Sequence, residues 1–263
     1  MLVVLAALVV AGLSVTRDNP TGASRSPSAG SPPSSTLGVT PSTFAVAPSS
    51  LIATLHGSIP SYATPTSPTA TGSVVPTWAG ATLGLPVIGI VHGRCQIRLL
   101  QRPNDRTTWV AASAVSLTHT NYHLVVDLSA KRLLLYERSK LVLLAPAVVG
   151  SVQYPTPMGH FFVVSFAPAP NPAYGPFVVV TSAFANTVTD WEQEGEPVVT
   201  ISGPLDTLAA IQAGGAALSH GGIRLLDRDV AQLRALPAGT PIDVVATLSP
   251  PQPARTQSTT PVH

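Results

Sequence analysis

A short run near the C-terminal end of the chain groups residue types that suit chemistry on a carbonyl. The run is Ser219-His220-Gly221-Gly222-Ile223-Arg224. Its two adjacent glycines allow a tight turn, and Arg224 carries a positive charge. His220 is a candidate base, but Gly222 has no side chain that could attack a carbonyl. Taken alone, the run is typical of a tight turn with a hydrogen-bonded histidine.

Two other groups of polar residues are possible sites for other chemistry. Four acidic residues surround Trp191, namely Asp190, Glu192, Glu194 and Glu196. Paired carboxylates serve in glycoside hydrolysis and in calcium sites, but the alternation with Trp, Gln and Gly and the lack of EF-hand spacing favour a solvated loop. His119 and His123 are four residues apart, which on a helix would suit zinc. They lie where a linker meets a strand, so we predict no metal, and no Gly-rich loop precedes a helix to indicate a cofactor.

The composition restricts the classes of partner. The chain has 263 residues, which fits one or two domains. Only 10% are charged, against roughly 25% in ordinary soluble domains. The formal net charge is +2 without a long basic run, so nucleic acid is not a predicted partner. The single Cys95 excludes an internal disulfide, and its strand-like surroundings favour a small buried hydrophobe.

The N-terminal segment, residues 1–16, is apolar. It is shorter than the roughly 20 residues needed to span a bilayer, and it resembles the apolar region of a secretory signal without the usual basic stretch. A signal-anchor, a start codon assigned too late and a buried N-terminal helix stay open. We therefore predict export, with membrane contact at the N terminus.

Four further segments follow along the chain. Residues 17–77 are rich in Ser, Pro and Thr and are predicted to be a linker. Residues 78–118 read as short strands and are predicted to form a small SH3-like β domain. Residues 120–248 are predicted to be a β-sandwich-like domain, and residues 249–263 a disordered tail.

Within 120–248, alternating apolar residues predict strands and a single short helix. One continuous strand is expected over 141–149, and the helix over 227–236 with Asp227 as its cap. The overall fold class is therefore mainly β.

Four sequence blocks in this region resemble the L,D-transpeptidases (YkuD type) of bacterial cell walls, particularly actinobacterial ones. Each block is weak alone, but together and in this order they are specific. They are Val126-Asp127-Leu128-Ser129 with Arg132, Leu133 and Tyr136; Thr156-Pro157-Met158-Gly159; Ser219 to Arg224; and Gly239-Thr240-Pro241 after a helix.

The resemblance implies a cysteine that attacks the carbonyl of a diaminopimelate in a stem peptide, activated by a histidine. The position of that cysteine is Gly222 here, and the H-G pair that supplies the histidine matches Ser202-Gly203. Both chemical groups are therefore absent. Ser219, His220, Gly221, Gly203 and Arg224 remain as candidate site and substrate-binding residues.

We accordingly expect a degenerate family member that binds peptidoglycan stem peptides or other wall-synthesis proteins, exported to the cell wall or the outer face of the cytoplasmic membrane. One alternative is an active transpeptidase with substitute residues, such as a Ser202–His220 pair. Another is a structural wall spacer that neither binds nor reacts with stems.

Overall fold

The structure is a computed structural model that describes residues 46–185, 187 and 198–248. The apolar N-terminal run, the acidic loop around Trp191 and the C-terminal tail lie outside these residues. Within the described residues, no helix has the length and apolar character that crossing a membrane requires.

The first part of the described chain is built from nine strands: β1 Ser50–Leu55, β2 Ile59–Ser61, β3 Gly72–Val74, β4 Thr77–Trp78, β5 Ala81–Thr82, β6 Gly84–Val91, β7 Arg94–Arg98, β8 Thr107–Ala111 and β9 Val115–Thr120. Five of them form an antiparallel sheet with the order β8-β7-β6-β1-β9, and the others form two small hairpins, β2-β3 and β4-β5. A 3₁₀ turn, Ala112–Ala114, connects the last two. This part of the chain is therefore all β, and its division into a small SH3-like domain stays a prediction.

The predicted boundary between linker and domain at residue 77 is too late. Strand β1 lies between β6 and β9 in the sheet, and its Ile52, Ala53 and Leu55 are buried. This strand comes from an apolar stretch inside a segment otherwise rich in Ser, Pro and Thr, so composition averaged over the segment concealed it.

The second part forms a ten-stranded sheet, whose strands are β10 Tyr122–Asp127, β11 Arg132–Glu137, β12 Lys140–Pro146, β13 Val148–Gly150, β14 Gly159–Ala167, β15 Val178–Phe184, β16 Val198–Ser202, β17 Ala216–Ser219, β18 Ile223–Arg224 and β19 Pro241–Val245. Their order in the sheet is β12-β11-β10-β19-β14-β15-β16-β18-β13-β17. The predicted mainly β fold class is confirmed.

The sheet must curl, because two consecutive strands lie near its opposite ends. The predicted strand over 141–149 is in fact two strands, β12 and β13, separated only by Ala147. Pro146 cannot donate a ladder hydrogen bond, and the Ala147 N–H bonds to the Lys131 carbonyl instead. Since β12 is an edge strand and β13 is next to the other edge, the chain links the two ends directly.

Two short helices accompany this sheet, α1 Leu208–Gln212 and α2 Asp227–Gln232, and α2 continues as a 3₁₀ turn, Leu233–Ala235. The predicted helix over 227–236 therefore exists, but its predicted cap is wrong. Leu226 occupies the cap position, and no side chain caps the helix. The Asp227 carboxylate instead lies against the backbone of Gly175 and Gly203.

The two sheets share a continuous interface. Phe162 and Val164 of β14 belong to the apolar core of the first sheet. The Asn104 side chain exchanges two hydrogen bonds of 2.9 Å with the backbone of Phe184. A second core fills the inside of the ten-stranded sheet and includes Ile201, Ile223 and Leu225. Those three buried residues anchor the strands that carry the candidate site.

Candidate functional site

The candidate site lies at a two-glycine turn between β17 and β18. Gly221 has a φ of 97°, in the left-handed region that side chains other than glycine's rarely adopt. Gly222 does not have a positive φ. A Cβ placed on Gly222 would lie 3.4 Å from both the Arg224 Nη2 atom and the Thr200 carbonyl oxygen. The backbone therefore requires glycine at residue 221, whereas at residue 222 a side chain would fit.

Two hydroxyl groups hold this turn. The buried Thr156 donates from its Oγ1 to the Gly221 carbonyl and accepts from the Gly150 N–H, each at 2.8 Å. The Ser219 hydroxyl donates to the Gly222 carbonyl at 2.5 Å. Because Ser219 is itself buried, the structure gives this serine a role in shaping the turn.

His220 points away from the buried side of the turn. The residue is exposed, and its ring packs on the Tyr154 ring with centroids 4.7 Å apart and the planes tilted by 34°. The contact fixes the imidazole on the loop that leads from β13 to β14.

Ser202, at the predicted base position, is completely buried at the end of β16. Its Oγ accepts a hydrogen bond of 2.5 Å from Arg224 Nη1 and lies 3.4 Å from the Gly203 carbonyl, to which it donates. Strands β16 and β18 are parallel neighbours with Ser202 opposite Arg224. The predicted base position thus lies at the end of β16 and the predicted nucleophile position lies in the turn just before the adjacent strand β18, and the Arg224 guanidinium lies between them.

The Arg224 guanidinium is partly buried over the ring of Tyr174, with 5.7 Å from Cζ to the ring centroid. Burial lowers the pKa of Arg224, while the charges of Tyr174 and Asp206 act in the opposite direction. Burial likewise raises the pKa of the Tyr174 phenol, against the influence of Arg224. In the part of the chain that the structure describes, no carboxylate lies within 4 Å of this guanidinium.

Gly203, predicted as a substrate-binding residue, is buried and closely packed. A Cβ there would lie 2.6 Å from the Asp227 Oδ1 atom and from the Gly175 nitrogen. This close approach accounts for the glycine without any ligand.

The other candidate residues lie elsewhere. Cys95 is fully buried in the core of the first sheet, where burial raises the pKa of its thiol. His119 is exposed on β9, whereas His123 on β10 bonds through Nε2 to Asp243, 2.6 Å away. Asp243 also bonds to His160. Among the described residues, no cluster has the ligands for a metal ion.

The sequence did not single out three residues of the site. Thr156 belongs to one of the four family blocks, but nothing in the sequence indicates that its hydroxyl holds Gly221. The contact of Tyr154 with His220, and of Tyr174 with Arg224, carries no local sequence signal, since each pair is distant along the chain and is brought together by the sheet.

Known proteins resemble this part of the chain. The family described as "L,D-transpeptidase catalytic domain" (YkuD) matches residues 121–244. A Bacillus licheniformis protein named as an L,D-transpeptidase, YkuD, is 30% identical over 124 residues, which are 47% of this chain and 65% of that protein.

Two solved structures also resemble the chain. An L,D-transpeptidase from Mycobacterium smegmatis is 19% identical, with a TM-score of 0.40, over 62% of this chain and 82% of the other. An L,D-transpeptidase from Mycobacterium tuberculosis is 17% identical, with a TM-score of 0.40, over 58% of this chain and 76% of the other.

The sequence match covers the sheet that carries the turn at Gly221 and Gly222, and it includes all four blocks that the sequence resemblance rested on. Residues 121–244 of this chain therefore form a domain of the L,D-transpeptidase (YkuD) catalytic family.

Proposed function

We propose that this chain is an exported, wall-associated protein that binds peptidoglycan stem peptides and does not catalyse their cross-linking. One observation supports this most directly. The position expected to carry a nucleophile has no side chain, and the position expected to carry a base is a buried serine that accepts a hydrogen bond from Arg224. Acyl transfer by this family's chemistry needs both a nucleophile and its activating base.

The features that a binding role needs are still present. The turn is held by Thr156 and Ser219, and Gly222 is partly exposed. Removing one member of a catalytic unit typically lowers the rate by on the order of 10⁴-fold. Binding of a stem peptide to the surface around the turn does not depend on the nucleophile or the base.

The alternative of substitute catalysis has weaker support. A Ser202 nucleophile would have to leave its bond to Arg224 and reach substrate from a position with no exposed surface. Its proposed base, His220, packs against Tyr154 on the outer side of the turn. A serine hydroxyl without an adjacent base is a poor nucleophile near neutral pH.

The test combines binding and turnover in the full chain. We expect the chain to co-sediment with purified sacculi and to produce no cross-linked dimers from disaccharide-tetrapeptide stems. Cross-linked product would contradict the proposal, and its loss after Ser202→Ala would favour the substitute-residue alternative. Failure to co-sediment, together with the absence of product, would instead favour the structural spacer.

Export and partners belong to the same proposal. Two features favour a location outside the cytoplasm: the apolar residues 1–16, and the family's substrate, the peptidoglycan stem peptide, which lies in the cell wall. Other wall-synthesis proteins and a membrane contact by the N-terminal segment are further candidate partners, which cross-linking in intact cells would identify.

A further inference from the structure

The hairpin of β11 and β12 concentrates the positive charge of this chain. Residues 131–146 contain four of its 14 Lys and Arg residues and one of its 12 Asp and Glu residues, which leaves ten and eleven for the rest of the chain. The four basic residues are Lys131, Arg132, Arg138 and Lys140. Among the residues that the structure describes, none of the four forms an ion pair within 4 Å. The hairpin is therefore a local excess of unneutralised positive charge on a chain that is otherwise close to neutral.

Exposed apolar side chains lie beside these charges on β12. Leu141, Val142 and Leu144 are 42%, 45% and 49% exposed. Leu143 and Ala145 belong to the core, and regular alternation would turn Leu141 to the same side. A register shift in the pairing of β11 with β12 interrupts the alternation, so Leu141 and Val142 are both exposed. Since β12 is also an edge strand, these neighbouring apolar groups form the kind of patch that marks an interaction surface.

The residues of this edge favour one kind of occupant. Lys140 at the start of β12 and Pro146 at its end hinder the addition of another strand at a sheet edge, which argues against a second copy of the chain. A soluble polyanion would satisfy the basic residues and leave the apolar ones in water. A bilayer that contains anionic lipid offers negative headgroups next to an apolar layer, so it matches both kinds of side chain.

The N-terminal segment joins the fold at the same hairpin. Ser139, at the hairpin tip, donates a hydrogen bond of 2.9 Å to the carbonyl of Val46, which is the first residue that the structure describes. The residues before Val46 therefore connect to the fold beside the hairpin tip. If residues 1–16 contact a membrane, as in the proposed function, this attachment keeps the hairpin on the side of the fold that the membrane contact restrains.

From these observations we propose that the β11–β12 hairpin binds the surface of an anionic lipid bilayer. Arg138 and Lys140 lie among the headgroups, and Leu141, Val142 and Leu144 lie at the boundary with the acyl chains. Near an anionic surface, each Lys or Arg raises partitioning by roughly fivefold. The surface is at the β12 edge of the sheet, whereas the two-glycine turn joins β17 and β18 at the other edge. This inference goes beyond the proposed function and does not require binding of a stem peptide.

The experiment reports the surroundings of the hairpin in the full chain. Ser139→Cys carries an environment-sensitive fluorophore, and Gln232→Cys, an exposed position on α2, carries the same fluorophore as the matched control. The native Cys95 is fully buried, so only the introduced thiol is labelled. With vesicles of equimolar phosphatidylglycerol and phosphatidylcholine, we expect a blue shift from the label at residue 139 and none from the control label. Vesicles of phosphatidylcholine alone should give little shift.

Charge variants in the Ser139→Cys background then test the basic residues. Arg138→Gln/Lys140→Gln should lower the partition coefficient that the label reports by about 30-fold. Arg106→Gln/Arg228→Gln removes the same total charge from two exposed residues outside the hairpin, so it should leave the coefficient unchanged. Equal coefficients for the two double variants would contradict the role of the hairpin charges.

An apolar variant distinguishes a bilayer from a soluble polyanion. Leu141→Gln/Val142→Thr keeps all the charges and should lower the partition coefficient by about fivefold through lost apolar contact. If this variant has no effect and soluble polyglutamate reproduces the blue shift of the native hairpin, the partner is a polyanion and the proposal is overturned. Circular dichroism checks that each variant is folded.

The remaining outcomes are equally decisive. A label at residue 139 that does not respond to anionic vesicles, or responds no more than the control label, overturns the proposal. A blue shift that appears without vesicles and grows with protein concentration indicates a second copy at this edge and also overturns it. Sedimentation with sacculi and the absence of cross-linked stems are measured without vesicles, so the failure of this inference and the failure of the proposed function are distinguishable.

Discussion

Introducing a thiol at residue 222 tests the electrostatic setting of the site. Gly222→Cys should fold normally, because the backbone there is not in the left-handed region and the nearest atoms to a new Cβ are 3.4 Å away. The sulfur is one bond further out, beside the Arg224 guanidinium. A neighbouring positive charge stabilises a thiolate and so increases its reactivity.

The magnitude follows from Coulomb attraction. For a sulfur on the order of 5 Å from the guanidinium and an effective dielectric constant of about 20, the attraction is roughly 3 kcal/mol. Partial exposure of the turn reduces this by about half through solvent screening. The remaining effect corresponds to a midpoint for thiol ionisation that is about one pH unit lower than without the arginine.

The assay is the rate of alkylation by iodoacetamide as a function of pH, followed by intact-protein mass. The native Cys95 is fully buried, so the unmodified native chain serves as the blank. The matched comparison is Gly222→Cys/Arg224→Gln, in which the midpoint should rise by about one pH unit. Equal midpoints in the two backgrounds would refute the inferred position of the guanidinium.

Three further predictions concern stability, each measured by urea unfolding. Asp243 is buried and its carboxyl loses solvation, which raises its pKa, but hydrogen bonds and charge from its two histidine partners outweigh this and lower it. A lowered folded-state pKa stabilises the fold above the unfolded value of about 4, and this contribution is lost as pH falls through the folded value. Asp243→Asn should therefore cost about 2–4 kcal/mol at pH 7 and less at pH 3, and an equal cost at both pH values would be inconsistent with this reasoning. Gly221→Ala should cost about 1–2 kcal/mol because of its φ of 97°, whereas the control Gly222→Ala should change stability by less; equal effects would show that the turn geometry is misassigned. Thr156→Val removes one donor and one acceptor from two backbone partners and should cost about 2–4 kcal/mol, so an unchanged stability would exclude it as the support of the turn.

The mainly β fold could be predicted from the sequence because strands such as β10 and β11 have strong local apolar patterns. The division of residues 141–149 into two strands could not be predicted, because it depends on the hydrogen bond from the Ala147 N–H to the Lys131 carbonyl and on the curl of the sheet. The early strand Ser50–Leu55 was obscured by its Ser- and Pro-rich flanks, although its burial is decided by its neighbours in the sheet.

The candidate site was located from the short motif around Gly222, since those residues are contiguous. The interactions of the charged Arg224 side chain could not be predicted from the sequence in the same way. The bond from Arg224 to Ser202 joins residues 22 positions apart, and it arises because β16 and β18 are parallel neighbours. The sequence indicated two missing chemical groups, and the structure shows that an arginine side chain lies between their positions.

The most direct test of the proposed function is the intact mass of the full native chain after incubation with disaccharide-tetrapeptide stems. The comparison is the double variant Gly222→Cys/Ser202→His. In this variant the imidazole at residue 202 requires the Arg224 guanidinium to move away from its present contact with residue 202. We predict that the native chain gains no covalent adduct and that the stems remain uncross-linked. An acyl adduct on the native chain would contradict the account, and the modified residue would identify the actual nucleophile.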